Sequence, residues 1–319
     1  MGRRKKIDSD VAHPFVKWAG GKTQLLDELA TRVPEKFGTY HEPFVGGGAL
    51  FFRLKAAGRI KKARLADANP DLMIAYKALR DAPEAVIEEL TRLSSKTSQD
   101  DFYAMRAEDP DKMTAAQRTA RFIYLNRTGF NGLYRVNSKG LFNVPYGRYE
   151  DPKILDRENL LNVSRALQGV KLEQTSFGTV LKQAKKGDFV YFDPPYQPLS
   201  KTAHFTAYSR AGFGEVEQRQ LAQVVEELAK KGVEVLLSNS DSAFAAKLYE
   251  GKGFEVSRVS AIRAINSKAT GRGAIKELLV QAHARPPVAR GASEASKRQL
   301  SIDFASTEEV RSSRNARSS

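Results

Sequence analysis

The chain of 319 residues contains no cysteine, and this absence removes several kinds of chemistry at once. Disulfide bonds, thiolate metal ligands and cysteine nucleophiles are all excluded. Methylation of cytosine at its ring carbon is excluded too, because that reaction needs covalent attack by a thiolate. The four histidines, His13, His41, His204 and His283, lie far apart without the spacing of a metal site. The sequence therefore predicts no catalytic metal.

Long apolar runs are missing as well. No segment approaches the roughly 18 uninterrupted apolar residues of a membrane-spanning helix. The basic start from Gly2 to Lys6 is followed by Ile7-Asp8-Ser9-Asp10, whereas a signal peptide would continue into an apolar segment. We therefore expect a cytoplasmic protein without a membrane partner.

Acidic residues are fewer than basic residues. There are 37 Asp and Glu against 52 Lys and Arg, which gives a formal net charge of +15 and a pI near 9.8. The first six residues carry four positive charges, and residues 285–319 carry seven positive and four negative ones, so residues 7–284 hold +8. A basic central part favours a polyanionic partner, and a nucleic acid is the natural one.

The stretch Asp188-Phe-Val-Tyr-Phe-Asp193-Pro194-Pro195-Tyr196 carries the clearest chemical signal. Its apolar run is typical of a strand covered on both faces of a parallel sheet, where sites lie at the carboxyl ends of the strands. Asp193 and the Pro194 carbonyl would accept the two N–H groups of an exocyclic amine, and Tyr196 offers a ring for stacking on a planar base. An aspartate that only caps a turn is the alternative.

Two glycine-rich turns precede this stretch. Lys17-Trp-Ala-Gly-Gly-Lys22-Thr suggests a phosphate-binding loop, but that motif needs a glycine at position 16, where Val16 stands. A nucleotide hydrolase is thus the disfavoured alternative. Glu42-Pro-Phe-Val-Gly-Gly-Gly48 follows a predicted strand and begins a helix. Asp67 comes about 20 residues later, as the ribose acceptor does in nucleoside-binding folds, although an ordinary strand-to-helix corner would look similar.

Residues 70–168 have a mostly helical pattern that suggests an insertion between sheet elements. A hairpin rich in Arg, Asn and aromatic residues is predicted within it, around the turn from Asn137 to Gly140. Such side chains read base edges and contact phosphates, and a two-stranded ribbon fits a major groove. A polar surface hairpin is the alternative. The predicted helices cover 70–81, 83–94, 98–107 and 114–126.

Beyond residue 168 strands and helices alternate, which predicts an α/β fold with a doubly wound parallel sheet. The loop over 196–213 is long enough to fold over a substrate, and the basic loop over 263–272 would contact phosphates or face solvent. From Arg285 onward the composition predicts a disordered tail. The strands are predicted over 170–176, 188–193, 233–239, 254–261 and 276–283, and the helices over 178–184, 214–230 and 241–250.

Four stretches occur in a fixed order: Lys17-Trp-Ala-Gly-Gly-Lys22, Glu42-Pro-Phe-Val-Gly-Gly-Gly48, Asp67-Ala-Asn69 and Asp193-Pro-Pro-Tyr196. Together they resemble the Dam-like DNA adenine-N6 methyltransferases of the D12 class, with the alpha-type order of motifs. The hairpin from Gly129 to Tyr149, the loop from Pro198 to Tyr208 and Ser238-Asn-Ser-Asp241 extend the resemblance. The resemblance implies a Rossmann-like methyltransferase sheet with an inserted, mostly helical DNA-recognition domain that carries a β-hairpin.

The resemblance also implies a division of the chain and a set of ligands. A basic arm would cover 1–13, a catalytic domain 14–69 and 156–284, a target recognition domain 70–155, and a tail 285–319. S-adenosylmethionine would be the methyl donor and double-stranded DNA the substrate of a monomer or weak dimer, associated with the nucleoid.

Individual residue roles follow from the same resemblance. Asp193, Pro194 and Tyr196 would act on an adenine flipped out of the duplex, and the hairpin would read GATC. Phe130 stands where some relatives carry Tyr, so its ring would still wedge into the stack while a hydroxyl contact is missing. The implied cofactor-binding residues are Trp18, Lys22, Phe44, Gly46, Gly48, Asp67 and Asp193. The implied DNA-binding residues are Lys17, Phe130, Asn131, Leu133, Arg135, Asn137, Pro145, Arg148 and Tyr149.

Alternatives to this function remain open on the sequence. Related proline-tyrosine motifs act on cytosine N4, RNA guanine and protein glutamine, and an idle fold that only binds DNA is a different class. The motifs do not distinguish a solitary enzyme from one paired with a restriction nuclease. In the tail, Gln299, Leu300, Ile302 and Phe304 resemble the short peptides that bind the replication sliding clamp. An apolar patch without function is the alternative there.

Overall fold

A computed structural model of the chain describes residues 11–18, 20, 22, 25–137, 139–195, 213–262 and 274–284. In these residues a seven-stranded sheet has the strand order β3, β2, β1, β4, β5, β7, β6. The α/β class with a doubly wound sheet is confirmed. The strands are β1 Thr39–Glu42, β2 Lys62–Asp67, β3 Lys171–Gln174, β4 Phe189–Phe192, β5 Glu234–Ser240, β6 Glu255–Ile262 and β7 Ala274–Ala282.

One strand corrects the prediction of a parallel sheet. β7 lies between β5 and β6 and is antiparallel to both, whereas β1 to β5 pair in parallel. A hydrophobic strand pattern carries no direction, so alternation of strands and helices does not reveal a reversal. The connection from β6 to β7 spans only residues 263–273, which is shorter than the dozen or more residues that a parallel crossover needs.

The helices of the described ranges largely follow the predicted pattern. α3 begins at Pro70, and the Oδ1 atom of Asn69 caps it by accepting from the Leu72 amide at 3.0 Å, because asparagine is a favoured N-cap and proline a favoured first helical residue. Residues 178–184 differ, because a 3₁₀ turn over Phe177–Thr179 leaves only a short α8. α7 has no individual counterpart among the predicted helices. The helices are α1 Leu26–Arg32, α2 Ala49–Ala56, α3 Pro70–Asp81, α4 Pro83–Leu93, α5 Gln99–Ala107, α6 Ala115–Thr128, α7 Arg157–Leu167, α8 Val180–Gln183, α9 Glu215–Lys230 and α10 Ala243–Tyr249.

The sheet separates two hydrophobic clusters, and β4 contributes to both. Phe189 and Tyr191 belong to the larger cluster and Val190 and Phe192 to the smaller one, because successive strand residues point to opposite faces. All four are at most 2% exposed. The prediction that this strand is covered on both faces is confirmed.

The helical segment after β2 shares the larger cluster with the sheet. Leu90 of α4, Phe102 of α5 and Tyr124 of α6 belong to the same cluster as Tyr40 of β1. The helices α3 to α7 thus share one continuous core with this face of the sheet. None of the helices in the described ranges is long and apolar enough to cross a membrane.

Candidate functional site

Three adjacent strands lead to carboxylates at one edge of the sheet. Glu42 ends β1, Asp67 ends β2, and Asp193 follows the last residue of β4. These strands are neighbours and parallel, so their carboxyl ends meet at the edge where ligands bind in open α/β sheets. Asp193 therefore lies at the end of β4 as predicted, and two further acids, Glu42 and Asp67, lie at the ends of neighbouring strands.

Asp193 is held from two directions through a single oxygen. Its Oδ1 atom lies 2.7 Å from Nζ of Lys22 and accepts a hydrogen bond from Oγ of Ser238 at 3.0 Å. Lys22 is nearly enclosed, with a side chain only 4% exposed, whereas the Asp193 side chain is 20% exposed. Both of these donors bind Oδ1.

Lys22 is also close to a second carboxylate. Its Nζ atom lies 3.6 Å from Oε2 of Glu277 on β7 and donates to the Gly20 carbonyl at 3.0 Å. Because β7 runs opposite to β5, the beginning of β7 reaches the edge at which the parallel strands end. The reversed strand thereby supplies Glu277, which the sequence analysis did not identify.

The residues after Asp193 are only partly described. Pro194 is buried and Pro195 partly buried, and two consecutive prolines fix the backbone direction without offering N–H donors. Tyr196 lies outside the described residues, as does the loop up to residue 212. The predicted roles of Pro194 and Tyr196 therefore stay predictions.

The second glycine turn is joined to Asp67. The Gly46 amide donates to Oδ2 of Asp67 at 3.1 Å and the Asn69 amide to Oδ1 at 2.9 Å, while the Tyr76 hydroxyl donates to the Gly46 carbonyl at 3.0 Å. Burial raises the pKa of Asp67 to about 6, and the backbone donors partly offset this effect. The carboxylate is thus charged at neutral pH, with lone pairs left for further donors.

Glycine is required in this turn for conformation and for space. Gly46 and Gly48 have φ values of 47° and 69°, which L side chains seldom adopt. A Cβ atom on Gly46 would lie 2.6 Å from Cδ1 of Trp18, so the indole packs directly against the turn. Trp18 in turn stacks on Tyr134, with ring centroids 5.8 Å apart.

Phe44 lies two residues after Glu42 at the same edge. The Phe44 side chain is partly buried. The centroid of its ring lies 5.3 Å from that of Phe177 and 5.5 Å from that of Phe213. Glu42 is buried and accepts from the Tyr40 hydroxyl at 2.9 Å. Burial raises the pKa of Glu42 well above its usual value, which favours the neutral acid. Glu42 was part of a quoted motif, but its burial was not predicted.

The predicted hairpin is present as an irregular one. Antiparallel bridges join Gly129 to Tyr146 and Val136 to Phe142. Oδ1 of Asn137 accepts from the Lys139 and Leu141 amides at 2.9 and 3.0 Å. This oxygen therefore stabilises the turn of the hairpin.

The predicted DNA-binding residues of the hairpin differ in exposure. Phe130 is 41% exposed, Pro145 and Arg148 are exposed, and Leu133 and Tyr149 are partly buried. Asn131 and Arg148 adopt positive φ values of 55° and 53°, which are uncommon for residues other than glycine and concentrate at functional sites. The Arg135 guanidinium donates to Oδ1 of Asn143 at 2.7 Å and to its carbonyl at 3.1 Å.

Lys17 contacts both the hairpin and helix α6. Its amide donates to Oδ1 of Asn126 at 2.8 Å, and its carbonyl accepts from Nδ2 of Asn126 at 2.8 Å. Its Nζ atom lies 4.8 Å from the centre of the Tyr149 ring. A Cβ atom on Gly132 would come within 2.5 Å of the lysine side chain. The residue before Trp18 therefore packs directly on the predicted recognition element.

A mixed sheet with one reversed strand, a glycine turn bonded to an acid, and an aspartate followed by two prolines agree with the methyltransferase fold that the sequence motifs resemble. Comparison with known proteins identifies the family. Residues 18–265 match the D12 class N6 adenine-specific DNA methyltransferases, and the chain belongs to that family.

Several relatives align over most of their length. The type II methyltransferase M1.LlaDCHI of Lactococcus lactis is 44% identical, over 84% of this chain and 94% of the relative. M.MjaIII of Methanocaldococcus jannaschii is 43% identical, over 84% and 98%. A DNA adenine methylase of Vibrio cholerae is 37% identical, over 83% and 94%. The chain is therefore an adenine-specific DNA methyltransferase, as its resemblance to the Dam-like enzymes predicted.

Proposed function

We propose that the enzyme transfers a methyl group from S-adenosylmethionine to N6 of an adenine flipped out of duplex DNA, within the sequence GATC. This proposal rests on the observation that two donors bind the same carboxylate oxygen of Asp193. Lys22 and Ser238 fix Oδ1, and Oδ2 is left to accept a hydrogen bond from an amino group. Unstacking the adenine costs a few kcal/mol, which stacking on Tyr196 partly recovers.

Asp193 and the Pro194 carbonyl would act by orientation. Together they accept both N–H groups of the adenine amine, which aims the nitrogen lone pair away from the two acceptors and towards the donor site. No nucleophilic side chain is needed for this step. Pro194 and Pro195 stiffen the turn after β4, so the two acceptors keep a fixed spacing.

The residues around the glycine turn fit S-adenosylmethionine, since the turn carries the Asp67 carboxylate beside it and aromatic side chains flank it. Asp67 would accept from the ribose hydroxyls, and Phe44 and Trp18 would provide apolar walls for the adenosine. Gly46 and Gly48 permit the positive φ values of the turn and let Trp18 and Tyr76 pack closely against it. S-adenosylmethionine, when bound, supplies the activated methyl group. Lys22 would adjoin this site through its contact with Asp193.

We propose that separate parts of the chain carry out catalysis and DNA recognition. Residues 14–69 and 156–284 form the catalytic part and residues 70–155 the recognition part, with residues 1–13 as a basic arm. Lys17 would lie near the target base, and the exposed Phe130 ring would wedge into the base stack. The remaining hairpin residues would contact bases and phosphates in the groove: Asn131, Leu133, Arg135, Asn137, Pro145, Arg148 and Tyr149.

The substitution Asp193→Ala tests the assigned chemistry. We expect it to abolish transfer of labelled methyl groups to DNA while DNA binding, measured by fluorescence anisotropy, stays within about twofold, because the positive charge lies elsewhere. Asp27→Ala, which removes a 91% exposed carboxylate on α1, is the matched control and should retain full activity. Turnover near the wild-type rate in Asp193→Ala would refute the role given to this residue.

The tail supports a further proposal on a partner, although it lies outside the described residues. Gln299, Leu300, Ile302 and Phe304 would bind the groove of the sliding clamp and so deliver a cytoplasmic, nucleoid-associated enzyme to newly replicated DNA. Titration of a peptide covering residues 295–308 against the clamp of the same organism tests this. Saturable binding that is lost when Leu300 and Phe304 become Ala is expected, and its absence would exclude the partner.

A further inference from the structure

Asp193 is fixed through a buried hydrogen-bond chain that starts in the sheet behind it. Ser238 on β5 is fully buried, and Tyr191 on β4 is 2% exposed. The Ser238 Oγ atom lies 3.0 Å from Oδ1 of Asp193 and 3.0 Å from the Tyr191 hydroxyl oxygen. β4 and β5 are neighbouring parallel strands, with Phe192 paired to Leu237, so the three side chains lie at adjacent positions of two strands.

The direction of the two hydrogen bonds follows from the number of protons. A serine hydroxyl has one proton to donate and accepts through its lone pairs. A bond to an ionised carboxylate is stronger than one between neutral groups, so the Ser238 proton points to Asp193. The Tyr191 hydroxyl then donates to Ser238. The resulting chain runs from Tyr191 through Ser238 to Oδ1 of Asp193.

We propose that Ser238 is a positioning residue for methyl transfer and that Tyr191 acts through it. This inference rests on the role of Asp193 in the proposed function. The terminal torsion of an aspartate is broad, so one donor alone does not fix the plane of the carboxylate. Lys22 and Ser238 bind the same oxygen from different elements, which fixes this torsion and directs Oδ2 to the adenine amine.

Ser238 would affect the chemical step and leave binding unchanged. It lies beneath Asp193 and is fully buried, so it contacts neither DNA nor S-adenosylmethionine directly. A carboxylate that rotates away from the amine loses the orientation on which the rate depends, although the substrates still bind. A residue with a merely structural role would instead lower the amount of folded enzyme without changing the rate of each folded molecule.

The test is the single-turnover rate constant of Ser238→Ala with preformed enzyme–DNA complex, normalised to the fraction of active sites. We expect a fall of about tenfold to a hundredfold, the size of a small misplacement of a reacting group, with KM for both substrates within about twofold. Ser240→Ala on the same strand, whose hydroxyl is not bonded to Asp193, is the matched control and should keep the wild-type rate.

Tyr191→Phe tests the chain independently, even where Ser238→Ala fails to fold. We expect a smaller loss of about twofold to fivefold, and no further loss when it is combined with Ser238→Ala, because in the proposed chain Tyr191 acts on Asp193 through Ser238. Additive losses, or a wild-type rate in either single variant, would overturn the inference. Failure of the proposed function is distinct from both, since the wild-type enzyme itself would then place no label on adenine.

Discussion

Burial controls the charge of Asp67, and this gives a test at the scale of one residue. Its pKa in the folded protein is about 6, against about 3.9 in an unfolded chain. The folded state therefore binds the proton more tightly. The stability that this group contributes is fully present below about pH 4, declines as the pH rises, and is lost above about pH 6.

The substitution Asp67→Asn should remove this dependence. The free energy of unfolding of the wild type, relative to that of Asp67→Asn, is expected to fall between pH 4 and 6 and to stay level from pH 6 to 8. Urea unfolding of both proteins across this range measures the difference. A difference that is constant from pH 4 to 8 would show that the Asp67 carboxyl is not desolvated as described.

Gly46 is expected to be irreplaceable for two separable reasons. Gly46→Ala places a Cβ atom 2.6 Å from Trp18 in addition to straining a positive φ. Gly58→Ala, at φ +69° with no atom within 4 Å of the added Cβ, should lose only the conformational part, about 1–2 kcal/mol. Urea unfolding should show a larger loss for Gly46→Ala, with weakened binding of S-adenosylmethionine. Equal losses would mean that the indole moves aside without cost.

The residues of the site were predictable from the sequence where they belong to local motifs. Asp193, Asp67 and the glycines follow strands directly, so their place at the carboxyl edge follows from the fold class. Ser238 and Glu277 were not predicted as site residues, because only the three-dimensional pairing brings them to Asp193 and Lys22. The Ser238-Asn-Ser-Asp241 motif was noticed, yet spacing alone does not show that its first hydroxyl reaches another strand.

The hairpin gives a test at the scale of one element. Arg135→Ala is expected to relax discrimination at one base pair of the target by about 1–3 kcal/mol, the value of a bidentate contact to guanine. Asn143→Ala is the matched control, because it removes the side-chain partner of Arg135 within the hairpin and keeps the guanidinium. Methylation rates on duplexes with single substitutions in GATC measure both variants. Equal weakening on every sequence would make Arg135 a phosphate contact or a support of the hairpin.

The strands were predicted better than their directions. β4 was placed within one residue at each end by its apolar run, and its burial on both faces followed from the same pattern. The reversal of β7 was missed because hydrophobic periodicity is the same for both directions. The reversal matters for the site, since it brings Glu277 from the beginning of a strand to an edge where the other strands end.

For the whole molecule, the charge and the fold agree with the family. Residues 7–284 carry +8, so the positive charge is not confined to the terminal segments, and phosphate contacts would supply much of the affinity for DNA. The continuous core extends from the sheet into α3 to α7 and includes Tyr134 of the hairpin. A target read by the hairpin would thus be presented to one catalytic edge.

The central claim is that this edge methylates N6 of adenine within GATC. The most direct measurement is transfer of labelled methyl groups from S-adenosylmethionine to a duplex containing GATC and to one of equal composition with the site scrambled, followed by nucleoside analysis. The account predicts label in N6-methyladenine from the GATC duplex and little from the scrambled one. Label on cytosine, or equal label on both duplexes, would contradict it.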